Sequence, residues 1–289
     1  MQHLPDRGAA ERGEAGGEVA VGTVRAHPPS GIIRAEWRVM GAERMREDMA
    51  ANQPFTISFD ERQAVAICVE PHESPERVLA ALALPLYRGT IVVHGGASAL
   101  ETPAMAPVRA FFAEGVVPLA EEHRLLVADG ATQTGVARLA GEARAAAGAT
   151  FPLVGVAPHR HATYPGGPPP GRERFALNPD HSHFVLVEGG KFGVESEFLV
   201  GLLRGAGVPG LALIVNGGKI VLAEARAQAE QRNPIVIVRG SGRVADRLAD
   251  STSVERGALP PGARLYVTDI RTPLAFRALA LRLLALPAP

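Results

Sequence analysis

Cysteine occurs once in the 289 residues, as Cys68. That excludes an intrachain disulfide framework and a cysteine-rich zinc site. Cys68 lies inside the apolar run Ala64–Val69 and reads as a buried thiol rather than a nucleophile. Charge of either sign is not in excess, because 30 Lys and Arg balance 30 Asp and Glu. The basic surplus that marks nucleic-acid binders is missing, so nucleic acid is not an expected partner. No run reaches the roughly 18 uncharged apolar residues of a membrane span, and no direct membrane insertion is expected. The N-terminal residues carry no apolar signal core, which gives the expectation of a cytoplasmic protein. Two motifs are also missing. There is no G-x-x-x-x-G-K-[ST] P-loop. There is no G-x-S-x-G nucleophile elbow, since Ser98 in Gly96-Ala97-Ser98-Ala99-Leu100 lacks the second glycine.

What is present is a repeated unit: an apolar run, a polar residue, glycine, then a helical pattern. It occurs at Ile91–Val93 with His94-Gly95-Gly96, and at Leu125–Ala128 with Asp129-Gly130. It recurs at Phe184–Val187 with Glu188-Gly189-Gly190, and at Leu211–Val215 with Asn216-Gly217-Gly218. The fifth is Ile235–Val238 with Arg239-Gly240-Ser241-Gly242. Continuous β-branched runs of this kind are buried parallel strands. Ala64–Val69, Leu153–Ala157 and Leu265–Thr268 read the same way.

Helices are expected from Pro75 with Ser74 as N-cap, and over Pro103–His123 with a break or kink at Gly115 and Pro118. Others are expected over Thr134–Ala147, Val194–Arg204, Ile220–Gln231, Val244–Leu248 and Pro273–Leu286. The last either buries its apolar face on the sheet or offers it to a second copy. Pro158–Pro179 is too rich in Pro and Gly for regular structure and reads as a surface excursion or a lid. Residues 1–52 read as a flexible extension, in which Ser30–Met49 is one short docking element. Residues 53–289 then form one α/β domain, a Rossmann-like three-layer sandwich with a mostly parallel central sheet.

Strand carboxyl ends carry the ligand crevice of such sheets, and glycine there lets backbone N–H groups approach an anion at a helix N-terminus. The third turn also offers Lys191, and it leads into Glu195 and Glu197 in the first helical turn. Those carboxylates either favour the helix dipole or accept hydrogen bonds from ribose hydroxyls. Arg243 follows the fifth turn at another helix start, where it either meets a phosphate or forms a surface ion pair. The third and fifth turns are the best site candidates, the first two complete the pocket, and Asn216-Gly217-Gly218 turns the chain. His159 with His161 and His181 with His183 form two alternating pairs. No carboxylate sits at a telling spacing, so they read as hydrogen-bonding groups at strand starts, and no metal is expected.

Leu177-Asn178-Pro179-Asp180-His181-Ser182-His183-Phe184-Val185-Leu186-Val187, followed by Gly190-Lys191-Phe192-Gly193-Val194-Glu195, resembles the SLOG-type domain at the cytosolic N-terminus of TRPM channels. So does Gly240-Ser241-Gly242-Arg243-Val244-Ala245-Asp246. With no channel segment, the chain is similar to the free-standing prokaryotic form, the LSDAT or prokaryotic SLOG-in-TRPM domain, over roughly Ala64 to Asp250. The resemblance implies a Rossmann-like sheet and a pocket for a nucleotide-derived ligand, related to ADP-ribose in the channels. NAD-like molecules and cyclic nucleotides are further candidates, and the implied setting is prokaryotic defence or signalling. It implies ligand contacts at Gly95 and Gly96; at Gly130, Thr132, Thr134 and Gly135; at Gly189, Gly190, Lys191, Gly193 and Glu195; and at Gly240, Ser241, Gly242 and Arg243. No cofactor is required.

The wider superfamily includes the LOG phosphoribohydrolases, whose P-G-G-x-G-T-x-x-E segment holds a glutamate that acts in N-glycosidic cleavage. Here Glu188 stands for the proline, one residue is inserted before Gly193, and Val194 stands for the threonine, which argues against hydrolysis. Glu195 and Glu197 are the candidates if chemistry occurs. Three functions stay open: a nucleotide-ligand sensor, a nucleoside-monophosphate phosphoribohydrolase, and a non-catalytic scaffold. Homo-oligomerisation or a separately encoded effector is the expected partnership.

Overall fold

The apolar runs pair side by side. In the computed structural model, which describes residues 52–96 and 102–287, they form β2 (Gln63–Val69), β3 (Gly89–Gly95), β4 (Leu125–Asp129), β5 (Leu153–Pro158), β8 (His183–Val187), β9 (Gly210–Val215), β10 (Pro234–Arg239) and β11 (Arg264–Asp269). One further strand, β1 (Phe55–Ser58), runs antiparallel to β2, and every other pairing in the sheet is parallel. The order across the nine strands is β1-β2-β8-β5-β4-β3-β9-β10-β11. Strand β1 is unmarked in the sequence because only Ile57 of its four residues is buried.

Alternate residues of each strand face opposite layers. Val92, Leu126, Ala128, Ala212, Ile214, Ile235 and Ile237 pack on one side. There they meet α1 (Pro75–Ala81), α5 (Val194–Gly205), α6 (Lys219–Glu230) and α7 (Arg243–Ala249) through Val78, Leu199, Val221 and Leu248. Ile91, Val93, Leu125, Val127, Leu211, Leu213 and Val236 face the other side. Their partners are α2 (Thr102–Phe111), α3 (Val117–His123), α4 (Gly135–Ala146) and α9 (Pro273–Leu283). A four-residue helix, α8 (Val254–Gly257), precedes β11 and has no strong sequence mark. The result is the three-layer α/β sandwich with Rossmann-like character.

Three local expectations take a more specific form in the structure. The helix over 103–123 is not broken: α2 passes into α3 through a π-helical segment, Phe112–Val116, which takes up the irregularity around Gly115 and Pro118. A Cβ on Gly115 would lie 3.2 Å from Pro273 Cβ and 3.3 Å from Phe276 Cδ1, so this glycine lets α9 approach. The Phe276 ring packs against Phe111 with centroids 5.0 Å apart and planes tilted by 50°, and α9 turns Phe276, Ala280 and Leu281 into the core. Ser74 holds the N-cap position of α1, but its hydroxyl makes no capping bond. Finally, the Pro-rich stretch is not wholly irregular. It holds a 3₁₀ turn at His159–His161 and a two-stranded parallel ribbon, β6 (Ala162–Thr163) with β7 (Phe175–Ala176). Arg174 fastens it by donating to the carbonyls of Arg160 and Pro169.

The extension over 1–52 lies, apart from Asn52, outside the described residues, as do the Ser30–Met49 element and Ser98. Among the described residues, no helix is long and apolar enough to cross a membrane.

Candidate functional site

The strand order decides which glycine turns meet. From β3 the chain steps to β4, β5 and β8 on one side, then crosses back to β9, β10 and β11 on the other. The switch point therefore falls between β3 and β9, where open α/β sheets hold ligands beyond the strand carboxyl ends. A crevice of about 510 Å³ opens there.

Gly95, Gly96, Gly130, Thr132, Thr134, Glu195 and Arg243 all line it. Glycine at 95 is required by packing, because a Cβ would sit 2.4 Å from Val136 Cβ. The β4 turn is held from beneath. Asp129 Oδ1 accepts from the Ala131 N–H and from His181 Nε2, both at 2.8 Å, with Asp129 and His181 buried.

The fourth turn, expected only to turn the chain, also lines the crevice. Strand β9 lies beside β3, so Gly218, Lys219 and Ile220 open the first turn of α6 directly onto the crevice. The fifth turn works differently from expectation. Ser241 is buried; its Oγ accepts from the Asn216 N–H at 2.8 Å and donates to the Val238 carbonyl at 2.6 Å. Asn216 Nδ2 in turn donates to the Ser241 carbonyl at 2.7 Å. Gly240, Ser241 and Gly242 thus tie the ends of β9 and β10 together and stay outside the crevice lining. What they present is Arg243, whose Nη2 lies 3.2 Å from where a Gly218 Cβ would be. Arg243 has a left-handed backbone, φ 55°, a costly state for a residue with a side chain. Among the described residues neither Lys219 nor Arg243 has an ion-pair partner.

The third turn contributes through Glu195 and through Phe192, which the sequence did not single out. Gly189, Gly190, Lys191 and Gly193 do not line the crevice, and Gly135 is buried at the start of α4. Phe192 does line it, 53 % exposed, stacked at 4.0 Å on His161 and facing Phe175 at 6.2 Å. The two carboxylate candidates part company. Glu195 lines the crevice and accepts from the Gly193 N–H at 2.8 Å; burial, with Glu224 adding, raises its carboxyl above the usual range. Glu197 points outward to His72 at 3.2 Å.

Glu224, on α6, is the other crevice carboxylate and anchors a buried chain. Its Oε2 meets His94 Nδ1 at 3.0 Å, and its Oε1 accepts from Ser196 Oγ at 2.6 Å. Gln228 Nε2 lies 3.0 Å from His94 Nε2, while Gln228 Oε1 accepts from Asn233. That fixes the Gln228 amide, makes His94 Nε2 the acceptor, and leaves the proton on Nδ1, directed at Glu224. The histidine pairs do not converge. His181 turns inward to Asp129, while His183 bonds Ser182 Oγ at 2.9 Å.

The profile of the family described as SLOG in TRPM, prokaryote, matches residues 88–274. The chain belongs to that family. The matched span holds every crevice residue named above. Relatives of the SLOG-in-TRPM chain include a transient receptor potential cation channel, subfamily M member-like 2, of Nematostella vectensis, 28% identical over 54% of this chain and 12% of its own length. Subfamily M member 7 of Homo sapiens is 28% identical over 62% of this chain and 11% of its own. Member 6 of Homo sapiens is 27% identical over 57% and 10%. The chain thus spans about a tenth of the length of the channels it matches. A solved structure, TM1055, covers 67% of this chain and 99% of its own at 20% identity, with a TM-score of 0.46.

Proposed function

We propose that the crevice binds a phosphate-bearing nucleotide derivative and that the chain is a sensor for it. The observation that carries this reading is the placement of Lys219 and Arg243, without carboxylate partners among the described residues, over the glycine turns of β3, β4 and β9. A phosphate there would meet backbone N–H groups, the positive end of α6 and two cations. Phe175 and Phe192 supply apolar faces for a base, and Glu195 and Glu224 supply acceptors for ribose hydroxyls. The ADP-ribose-like ligand implied by the family resemblance has these parts.

Isothermal titration with ADP-ribose, NAD, AMP and cyclic nucleotides tests it. At least one should bind, and Arg243→Ala and Lys219→Ala should each weaken it about 10- to 150-fold, the loss of one charge-assisted bond. No binding of any at millimolar concentration overturns the proposal.

The raised carboxyl of Glu195 inside the crevice favours a second reading, N-glycosidic hydrolysis, in which water adds at the ribose carbon and the base leaves with a proton. Chromatography of AMP after incubation would then show free adenine, lost in Glu195→Gln and kept in Glu197→Gln. Intact AMP sinks this reading while leaving the first.

A further inference from the structure

We infer that Cys68, His159 and Glu188 form a three-donor site for a divalent metal ion, and that zinc is the ion their chemistry fits. The residues are 91 and 29 positions apart, so no sequence spacing shows them. The sheet brings them together. Strands β2, β8 and β5 are parallel neighbours, with Cys68 opposite Leu186, and with Val69 and Pro158 both opposite Val187. Glu188 and His159 directly follow β8 and β5, so the three side chains meet at one level of the rim.

Their donor atoms all lie within 4.8 Å of one another. Cys68 Sγ is 4.0 Å from both imidazole nitrogens, and His159 Nδ1 is 2.5 Å from Glu188 Oε1. Tetrahedral zinc, with bonds of about 2.3 Å to sulfur and 2.0–2.2 Å to nitrogen and oxygen, needs donors about 3.3–3.6 Å apart. Side-chain rotations of under about 1 Å bridge the difference. A supporting partner is in place: His159 Nε2 lies 3.1 Å from Tyr164 Oη, so with Nδ1 on the metal the other ring N–H donates to the phenol. Thiolate and carboxylate together neutralise a dication. Sulfur beside nitrogen selects zinc over magnesium or calcium, which take oxygen. Three protein donors leave a fourth position open, as in zinc sites that bind a water or a substrate.

A cysteine nucleophile activated by His159 is the competing use of the same trio. It fits poorly. Cys68 is only 9% exposed, at the end of a strand covered on both sides by β1 and β8, which leaves a substrate little approach to its sulfur.

The test uses the full chain, stripped with EDTA and reloaded with Zn²⁺ or Co²⁺. Elemental analysis should find one zinc per chain, and the cobalt form should show thiolate-to-metal charge-transfer absorption. Cys68→Ser, close in volume, should lose that absorption while keeping its circular dichroism. His159→Gln and Glu188→Gln should each weaken zinc at least roughly tenfold, and Tyr164→Phe about 10- to 100-fold. A wild-type cobalt form without the thiolate absorption overturns the assignment, whatever the zinc content. So does zinc held equally well by Cys68→Ser and His159→Gln.

Discussion

Replacing Glu224 separates the roles of shape and of hydrogen bonding beneath the crevice. The carboxylate accepts from His94 Nδ1–H on one oxygen and from Ser196 on the other, and both His94 and Glu224 are buried. In Glu224→Gln the amide oxygen can face His94, and the new NH₂ can donate to Ser196 Oγ, which rotates to accept. Every group stays paired, and the loss is the ionic share of two bonds, about 1 kcal/mol. Glu224→Leu keeps similar bulk but strands the His94 N–H, since Gln228 occupies the other ring nitrogen. A buried donor without an acceptor costs about 1–3 kcal/mol, and the Ser196 bond is lost as well. The leucine variant should therefore lie about 2 kcal/mol below the glutamine variant. For a domain of this size that is a gap of roughly 4–8 °C in Tm. Urea unfolding with matched m-values gives the difference directly. Equal stability of the two variants, within about 0.5 kcal/mol, would refute the assigned proton on His94 Nδ1 and the chain of bonds built on it.

Gly95→Ala should cost about 1–3 kcal/mol, because its Cβ must displace Val136 on α4; an unchanged melting temperature would contradict this packing. Gly205→Ala pushes a Cβ to 2.7 Å from Pro75 Cβ and 2.9 Å from the Glu76 backbone nitrogen. Hydrogen exchange should then show α1 loosened, and protection equal to wild type would count against the contact. His183 is held down at about 4 by burial, with Arg144 adding. The unfolded chain takes up a proton near 6.5, before the native state does, so the contribution is complete above about pH 6.5. It is lost as pH falls toward 4. After discounting for partial exposure it is worth about 1–2 kcal/mol, and His183→Gln should flatten the stability profile across that window. A slope unchanged by the substitution would remove His183 as its cause.

The sheet was readable because β-branched runs such as Ile235–Val238 admit no other use once helical patterns flank them. Strand β1 and the β6–β7 ribbon were not, because four or two half-buried residues carry no periodicity. The site divides in the same way. Sequence places glycine turns on one rim, but it does not say which turns oppose each other, since strand order is a non-local property. Gly190-Lys191 and Gly218-Lys219 have the same local chemistry, and only the crossover between β8 and β9 puts the second pair in the crevice. Phe192 escaped because a lone exposed aromatic in a loop has meaning only once His161 and Phe175 are seen beside it. The Asn216–Ser241 bonds are equally invisible, and they explain why the fifth turn yields a presented arginine rather than a row of glycine contacts.

The place of β2 in the sheet has a consequence for how the molecule is made. Strand β2 ends at Val69, and its inner partner β8 begins only at His183. At about 5–20 residues per second, translation leaves the β1–β2 hairpin waiting on the order of ten seconds for that partner. During that interval β2, which carries Cys68, has an open edge, the kind of surface that invites pairing with another chain. Nascent chains stalled before and after residue 187 should differ in how readily Cys68 is alkylated. Equal labelling would mean that β2 finds cover without β8. The same strand lies outside residues 88–274, the span that matches the family and that holds seven of the nine strands, so the cysteine-bearing edge depends on a late arrival.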